Sequence, residues 1–254
     1  MHRPRARGEW RRLAPVAHDG QDGEHLEGDD GPGDEANPPR QHQPGAAERT
    51  PVQVLAHLDA ATAALSRHAV VWRKGRIIQL RDFLAGPEGY SGAEAAGLAG
   101  RVVGSSYTGQ GDHAVLWDKR GIRDLGVLEG GYRSNAFDIN PSGQVVGVSN
   151  LQDETEHAFL WTNGKMTDLG LLPGDRYLSV AFGISPSGQV VGFSGWYPHA
   201  FLWADGIMTA LPTLGGRYSS ASAINARGQV VGDSDLSDSP PDFIAGHAVL
   251  WTIK

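Results

Sequence analysis

Residues 157–170 read HAFLWTNGKMTDLG, and close copies of this stretch occur four more times in the chain. The copies begin with HAVVW at His68, HAVLW at His113, HAFLW at His199 and HAVLW at His247. Successive histidines are therefore 45, 44, 42 and 48 residues apart. A regular repeat of this length indicates an architecture of stacked similar units, so it decides the fold before any single motif does.

The remainder of the unit repeats as well. A glycine-containing turn follows each HAFLW-type run, and a short run such as KMTDLG comes next. A link with Gly and Tyr leads to a third run, SNAFDIN, SVAFGIS or SSASAIN, which is degenerate (EAAGLAG) in the first copy. A fourth run closes the unit as RVVGSS, QVVGVS, QVVGFS or QVVGDS. All four runs have the length and the Val, Ile, Phe and Trp content of β-strands.

The turns between these runs support the same interpretation. The Asn-Gly pair at 163–164 and the Asp-Gly pair at 205–206 suit the positive φ of tight hairpins. Pro-Ser-Gly at 141–143 and 186–188 punctuates a second hairpin. One unit is therefore predicted to hold four antiparallel strands in about 44 residues, as in a β-propeller blade. The apolar spacing of a helical repeat is absent, and an immunoglobulin-type sandwich would not repeat at this period. The predicted fold is an all-β propeller.

The number of blades stays open between four and five. Read in order, the runs give two strands at the N-terminal end, three sets of four, and then three. Residues 52–58, VQVLAHL, would add a strand and complete a fifth blade, which is the alternative that we favour. An incomplete or open array is the third alternative.

The first 50 residues differ from all that follow. They contain seven Arg, ten Asp or Glu and four His, with almost no β-branched or aromatic residue. Such a segment buries too little apolar surface to offset its ordering entropy. We predict a disordered segment over 1–50, or else an upstream stretch misassigned as coding. Residues 51–67 form a transition with the extra strand, and 68–254 form the repeat domain.

Composition excludes several classes of function. A net charge of −7 and a pI of about 5.8 argue against nucleic-acid or anionic-membrane partners. The absence of cysteine excludes disulfides and zinc–thiolate sites. No apolar run reaches the ~18 residues of a membrane span. We predict no cofactor.

The joint pattern HAFLWTNGKMTDLGLLPG followed by SVAFGISPSGQVVGFS resembles the bacterial HAF-repeat family, named after its His-Ala-Phe signature. The resemblance covers residues 68–254 and is strongest in 113–232. It implies a probable extracellular or cell-surface repeat protein, and it carries no catalytic residue over. This chain departs from the pattern in showing no export signal, in its degenerate first unit and in its short last unit.

The repeated His and Trp side chains are interpreted as structural, because a residue that every unit holds is needed by every unit. Each histidine is expected to bond a neighbouring loop or strand backbone, rather than a metal. Likewise, Asp124 and Asp168 are expected to cap turns rather than to act as paired acid and base. No nucleophile elbow, phosphate-binding loop or HExxH motif is present. The structural set is His68, His113, His157, His199, His247, Trp72, Trp117, Trp161, Trp203 and Trp251.

Function is sought where the units differ. The links between a QVVGVS-type run and the next HAFLW-type run are YTGQGD, NLQDETE, GWYP and DLSDSPPDFIAG. In an up-and-down blade they lie on the same face as the Tyr-bearing links between units, and variable loops on a rigid frame commonly serve recognition. The aromatic candidates for ligand binding are Tyr107, Trp196, Tyr197 and Phe243. Asp235, Asp238 and Asp242 form a weak Ca²⁺ candidate, with a solvated acidic loop as the favoured interpretation.

The leading hypothesis is a non-enzymatic extracellular repeat protein that binds a glycan or a protein through this variable-loop face. One alternative is a propeller that hydrolyses or cleaves polysaccharide, although the sequence shows no persuasive catalytic set. Another is an architectural fragment that self-associates through open blade edges.

Overall fold

The computed structural model describes residues 52–58, 65–86, 89–237 and 246–253. Within them the chain forms eighteen β-strands and one short 3-10 turn at Leu98–Gly100. No helix in these residues is long and apolar enough to cross a membrane. The predicted segment 1–50 lies outside the described residues. The chain is therefore an all-β protein, as predicted.

The strands form five antiparallel sheets, each a meander of sequence neighbours. Sheet 1 contains β1 (Val52–Leu58), β2 (Leu65–Arg73) and β3 (Arg76–Gln79). Sheet 2 contains β4 (Ser91–Ala96), β5 (Val102–Tyr107), β6 (Asp112–Asp118) and β7 (Gly121–Asp124). Sheet 3 contains β8 (Ser134–Ile139), β9 (Val145–Asn150), β10 (Glu156–Thr162) and β11 (Lys165–Gly170). Sheet 4 contains β12 (Ser179–Ile184), β13 (Val190–Ser194), β14 (His199–Ala204) and β15 (Ile207–Ala210), and sheet 5 contains β16 (Gly215–Ile224), β17 (Gln229–Leu236) and β18 (His247–Thr252).

The HAFLW-type run is the third strand of its sheet. Each complete sheet begins with the SVAFGI-type run, continues with the VVG-type run and ends with the KMTDLG-type run. The three complete sheets are four-stranded and antiparallel, as the repeat predicts. Residues 52–58 form a strand that pairs with β2 from Val52–Val71 to Leu58–Leu65. Among the described residues, sheet 1 lacks the strand that comes first in a complete sheet, and sheet 5 lacks the strand that comes fourth.

In the described part of the chain the core consists of four similar junctions between successive sheets. At the junction of sheets 3 and 4, Val146, Ala158 and Leu160 of sheet 3 meet the side chains of sheet 4. Sheet 4 supplies Phe201 and Trp203 from its third strand, together with Met208. Phe201 is fully buried, which stabilises the fold by about 1.5–3 kcal/mol. Repetition of the sequence thus means repetition of one sheet-to-sheet interface.

A hydrogen bond between sheets accompanies each apolar junction. The Ala158 amide of β10 donates to Ser179 Oγ of β12 at 2.9 Å, and this hydroxyl donates in turn to the Gly170 carbonyl at 2.6 Å. The other three junctions repeat the amide bond in the pairs Ala69–Ser91 at 3.0 Å, Ala114–Ser134 at 2.7 Å and Ala200–Ser219 at 2.9 Å. The alanine of each of the first four HAFLW-type runs is therefore small because the next sheet covers it.

The glycine of the VVG run is required by close packing within a sheet. A Cβ at Gly192 would overlap the carbonyl oxygen of Val180 on the neighbouring strand β12. The equivalent glycines, Gly104, Gly147 and Gly232, meet backbone atoms of the first strand in the same way. The glycine thus allows the first two strands to approach each other.

Candidate functional site

Three of the five repeated histidines pair with a carboxylate. His113 Nδ1 lies 2.9 Å from Asp124, and His157 Nδ1 lies 2.9 Å from Asp168. In the first unit His68 Nδ1 lies 2.7 Å from Asp82. The expected backbone partner is thus replaced by a carboxylate on or just after the fourth strand, which ties the third strand to its sheet edge.

The two DLG aspartates also close turns. Asp124 Oδ1 accepts the Gly126 amide and Asp168 Oδ1 accepts the Gly170 amide, both at 2.7 Å. Burial raises the pKa of Asp168, but the hydrogen bonds from His157 and Gly170 outweigh it and leave the pKa below its ordinary value. A carboxylate that stays ionised is unsuited to general-acid work. The turn-capping prediction for both aspartates is confirmed.

The fourth unit departs from this pattern. Ala210 stands where the second and third units have their aspartate. The nearest carboxylate to His199 is instead Asp175, whose Oδ1 lies 3.8 Å from Nδ1. Asp175 Oδ2 is buried and has no hydrogen-bond partner, while His199 is 42% exposed. In the fifth unit, His247 is exposed.

The repeated tryptophans pack at the junctions, with one exception. Trp117 and Trp161 are buried, and Trp117 Nε1 donates to the Arg81 carbonyl at 2.7 Å. Trp203 and Trp251 are half-buried at their own junctions. Trp72 is 44% exposed because no sheet precedes sheet 1 among the described residues.

The variable links between second and third strands meet the links between sheets. In sheet 2 the Tyr107 amide donates to the Tyr90 carbonyl at 3.0 Å. In sheet 4 the Gly195 amide donates to the Leu178 carbonyl at 2.7 Å. These bonds place both kinds of link at one end of the sheets, and we call this end the variable-loop face.

Exposed aromatic side chains concentrate on the variable-loop face. Among the described residues, seven aromatic side chains are strongly exposed, and all but Trp72 lie on these links. Trp196 is 76% exposed, and Tyr177 and Tyr197 are each 61% exposed. The six are Phe83, Tyr90, Tyr132, Tyr177, Trp196 and Tyr197.

Four aromatic residues lie on the links around sheet 4, and two of them are in contact where sheets 4 and 5 meet. The Tyr197 and Tyr218 rings lie 5.9 Å apart at 40°, and the Ser219 amide donates to the Pro198 carbonyl at 2.8 Å. The bond between Gly195 and Leu178 joins the link that carries Trp196 to the link that carries Tyr177, on the side of sheet 4 where the Glu156 amide of sheet 3 donates to the Tyr177 carbonyl at 2.9 Å. We call Tyr177, Trp196, Tyr197 and Tyr218 the aromatic cluster.

Backbone strain and polar groups mark the base of the aromatic cluster. Tyr177 has φ of 74°, which is unusual for a bulky residue and is common at ligand-contacting loops. A Cβ at Gly195 would meet the Asp175 carboxylate at 2.8 Å, so this carboxylate lies directly beneath the loop that carries Trp196. Asp175 and His199 thus supply hydrogen-bonding groups beside exposed rings.

Tyr107 lies elsewhere on this face and is less available than its sequence context indicates. Its ring stacks on Tyr90 with centroids 5.3 Å apart, and its hydroxyl donates to the Gly109 carbonyl at 3.2 Å. Burial and a hydrogen bond to Asp112 raise the pKa of Tyr90 well above its ordinary value, so the Tyr90 hydroxyl stays protonated. Tyr107 is therefore separate from the aromatic cluster.

The acidic candidate Asp235 serves the fold. Its side chain is buried, and its Oδ1 accepts the Tyr218 amide at 2.7 Å. Asn150 has the same role in sheet 3, where its Oδ1 accepts the Tyr132 and Arg133 amides. The described residues contain no group of three or more His, Cys, Asp or Glu that could hold a metal ion. Asp238, Asp242 and Phe243 lie outside the described residues.

Sequence reasoning identified Trp196 and Tyr197 but did not single out Tyr177, Tyr218 or Asp175. The two tyrosines belong to the repeated links, so their sequence gave no reason to separate them from Tyr90 or Tyr132. The only sequence signal for Asp175 is the substitution of Ala210 for the repeated aspartate, which leaves His199 in need of another partner.

No family model matches the chain, and no curated protein matches it. Among solved structures, TolB from Acinetobacter baumannii aligns with a TM-score of 0.52 at 13% identity, over 79% of this chain and 52% of TolB. Two structures of prolyl oligopeptidase B from Galerina marginata align with TM-scores of 0.46 at 14% and 13% identity, over 72% of this chain and 28% of theirs. The chain thus spans about half the length of TolB. The likeness to TolB, whose structure is propeller-like, shows a propeller-like all-β fold.

Proposed function

We propose that this chain is a non-enzymatic β-propeller scaffold that binds a glycan through the aromatic cluster. A protein ligand is the alternative occupant of the same cluster. The exposure of Trp196, Tyr177 and Tyr197 on neighbouring links carries the proposal. The HAF-repeat resemblance adds the proposal that the chain acts outside the cell or at its surface.

In this proposal each sheet is one blade of about 44 residues, which makes five blades. Three complete four-stranded sheets and two three-stranded sheets support this number. The common junction between successive sheets supports their equivalence as blades. A rigid frame of this kind holds the links in fixed relative positions, which lowers the ordering cost of binding.

The aromatic cluster has the chemistry of a sugar site. Aromatic rings stack on the apolar faces of sugar rings, and Tyr and Trp add polar groups to a large contact area. Trp196 and Tyr197 would supply the stacking surface. The exposed His199 ring would bond sugar hydroxyls beside them. We infer that binding covers the Trp196 side chain, which is 76% exposed.

The state of the repeated carboxylates supports the non-enzymatic interpretation. Cleavage of a glycosidic bond by the usual mechanism needs two carboxyl groups flanking one bond, one of them with a raised pKa. Asp124 and Asp168 lie in different sheets, and each is engaged by a histidine and a turn amide. Neither aspartate is available as the acid of such a pair.

The proposal is tested by titrating the protein with a panel of soluble polysaccharides and following tryptophan fluorescence and calorimetric heat. Trp196→Ala and Tyr197→Ala should each weaken binding by about tenfold or more, as truncation of an aromatic anchor does. Tyr132→Ala is the matched control, because Tyr132 is an exposed tyrosine of the same face outside the cluster. An equal loss in Tyr132→Ala and Tyr197→Ala would contradict the assignment to the cluster.

A further inference from the structure

The last sheet exposes a face that every earlier sheet buries. Val231 is 47% exposed, whereas its counterparts Val103, Val146 and Val191 are fully buried. Ala248 is exposed, and Leu250 is 61% exposed. In sheets 2 to 4 the equivalent valine, alanine and leucine pack against the next sheet along the chain. They form the half of a junction that the preceding sheet contributes.

The first sheet exposes the other half of the same junction. Trp72 is 44% exposed and Ile77 is 52% exposed, and the two residues pair across β2 and β3. Their counterparts in sheet 4 are Trp203 and Met208, which pair in the same register and pack against sheet 3. At Trp72 and Ile77, sheet 1 thus leaves open the side that would pack on a preceding sheet, and no such sheet is present among the described residues, although Val70, the counterpart of Phe201, is buried.

Among the described residues these two open faces do not pack against each other. The four core clusters of the described residues join sheets 1 and 2, 2 and 3, 3 and 4, and 4 and 5. None joins sheet 5 to sheet 1 within this described part of the chain. One molecule therefore exposes both complementary halves of an interface that it forms four times internally.

We propose that the open face of sheet 5 docks onto the open face of sheet 1 of a second copy of this chain. The second copy is the occupant that the observations favour, because its Trp72 and Ile77 match the groups that cover the equivalent faces inside the chain. Such a contact joins two different patches, so it is head-to-tail. It builds a closed ring or a filament rather than only a symmetric dimer.

The contact between copies is weaker than an internal junction. Internally, the first strand of the following sheet supplies the serine that accepts the alanine amide, as Ser179 accepts Ala158. The described part of sheet 1 has no counterpart of this strand, so the Ala248 amide gains no such acceptor from it. Assembly should therefore depend on protein concentration within an accessible range.

The test measures the mass of the full chain by light scattering and sedimentation over about a hundredfold range of concentration. The mass should rise beyond that of a dimer. Leu250→Glu and Trp72→Glu should each raise the dissociation constant by about a hundredfold or more, because either variant buries an unpaired carboxylate at the contact. Ile207→Glu is the matched control, since Ile207 is 67% exposed on β15 and lies outside both faces.

Mixing the two variants tests the head-to-tail geometry. Leu250→Glu keeps an intact sheet 1 face and Trp72→Glu keeps an intact sheet 5 face, so an equimolar mixture should form dimers and nothing larger. A wild-type chain that stays monomeric throughout overturns the proposal. The proposal is also overturned if Leu250→Glu abolishes assembly while Trp72→Glu leaves it intact. That result would indicate that two sheet 5 faces pair with each other.

A second pair of variants is available if the first pair fails to fold. Val231→Glu and Ile77→Glu lie on the same two faces and replace the first pair if circular dichroism shows loss of the native strands. The contact uses none of the aromatic cluster, so assembly and glycan binding succeed or fail independently.

Discussion

Replacing Ser179 by alanine tests the hydrogen bond that joins one sheet to the next. The Ser179 hydroxyl is fully buried, accepts the Ala158 amide and donates to the Gly170 carbonyl. Ser179→Ala leaves both backbone groups without this partner. An unsatisfied buried polar group costs about 1–3 kcal/mol, so we expect a loss of about 2–4 kcal/mol in the free energy of unfolding.

The loss should be local to the junction of sheets 3 and 4. Urea denaturation followed by tryptophan fluorescence measures the total effect, and hydrogen exchange of the Ala158 amide measures the local one. Ser222→Ala is the control, because Ser222 is exposed on the equivalent first strand of sheet 5. If the two variants lose the same amount, or if Ala158 exchange is unchanged in Ser179→Ala, the sheet-to-sheet hydrogen bond does not stabilise the fold.

Three further predictions follow from the repeated packing. Gly192→Ala should lower the melting temperature strongly, because its Cβ would overlap the Val180 carbonyl, whereas Gly92→Ala, with no atom within 4 Å of an added Cβ, should not. Wild type should be more stable than Asp168→Asn at neutral pH, and this difference in the free energy of unfolding should shrink as pH falls below 3.8. The reason is that the folded protein stabilises only the ionised form of Asp168, which lowers the pKa of this carboxyl. Urea titrations at several pH values measure the difference. Ala210→Asp should give His199 the partner that His157 has, raise the melting temperature, and weaken glycan binding if His199 bonds the ligand.

Much of the fold was predictable because the strands and their turns are local. Asn163 and Asp205 have positive φ, as do Gly164 and Gly206, which confirms the two tight hairpins. A positive φ depends on the two residues that form the turn, so a dipeptide is sufficient to indicate it. The strand at 52–58 was likewise visible from its own composition.

The partners of the histidines were not predictable in the same way. His157 and Asp168 are brought together across β10 and β11, beside a register shift between Ala158 and Phe159. In the first unit the partner is Asp82, which lies outside the repeated motif. The spacing between a side chain and its partner across two strands depends on such irregularities, which a repeat pattern does not show.

The aromatic cluster could be predicted only in part for a similar reason. Exposure of Trp196 follows from its position in a short variable link, which the sequence shows. The approach of the link with Tyr177 to the link with Trp196 depends on the bond between Leu178 and Gly195. This bond joins two links that are distant in the sequence of the unit. Long-range backbone contacts of this kind become visible only when the sheets are stacked.

The fourth unit combines several departures from the repeat in one place. Its fourth strand lacks the aspartate, its histidine is more exposed than those of the second and third units, and its variable link carries two exposed aromatic residues. The first unit also lacks the aspartate at this position, but its His68 bonds Asp82 instead, so His199 lacks a short carboxylate contact that the histidines of the first three units make. A stabilising group given up beside exposed rings is typical of a site where binding, rather than folding, determines the residues. We therefore propose that binding, rather than folding, determines the residues of the aromatic cluster.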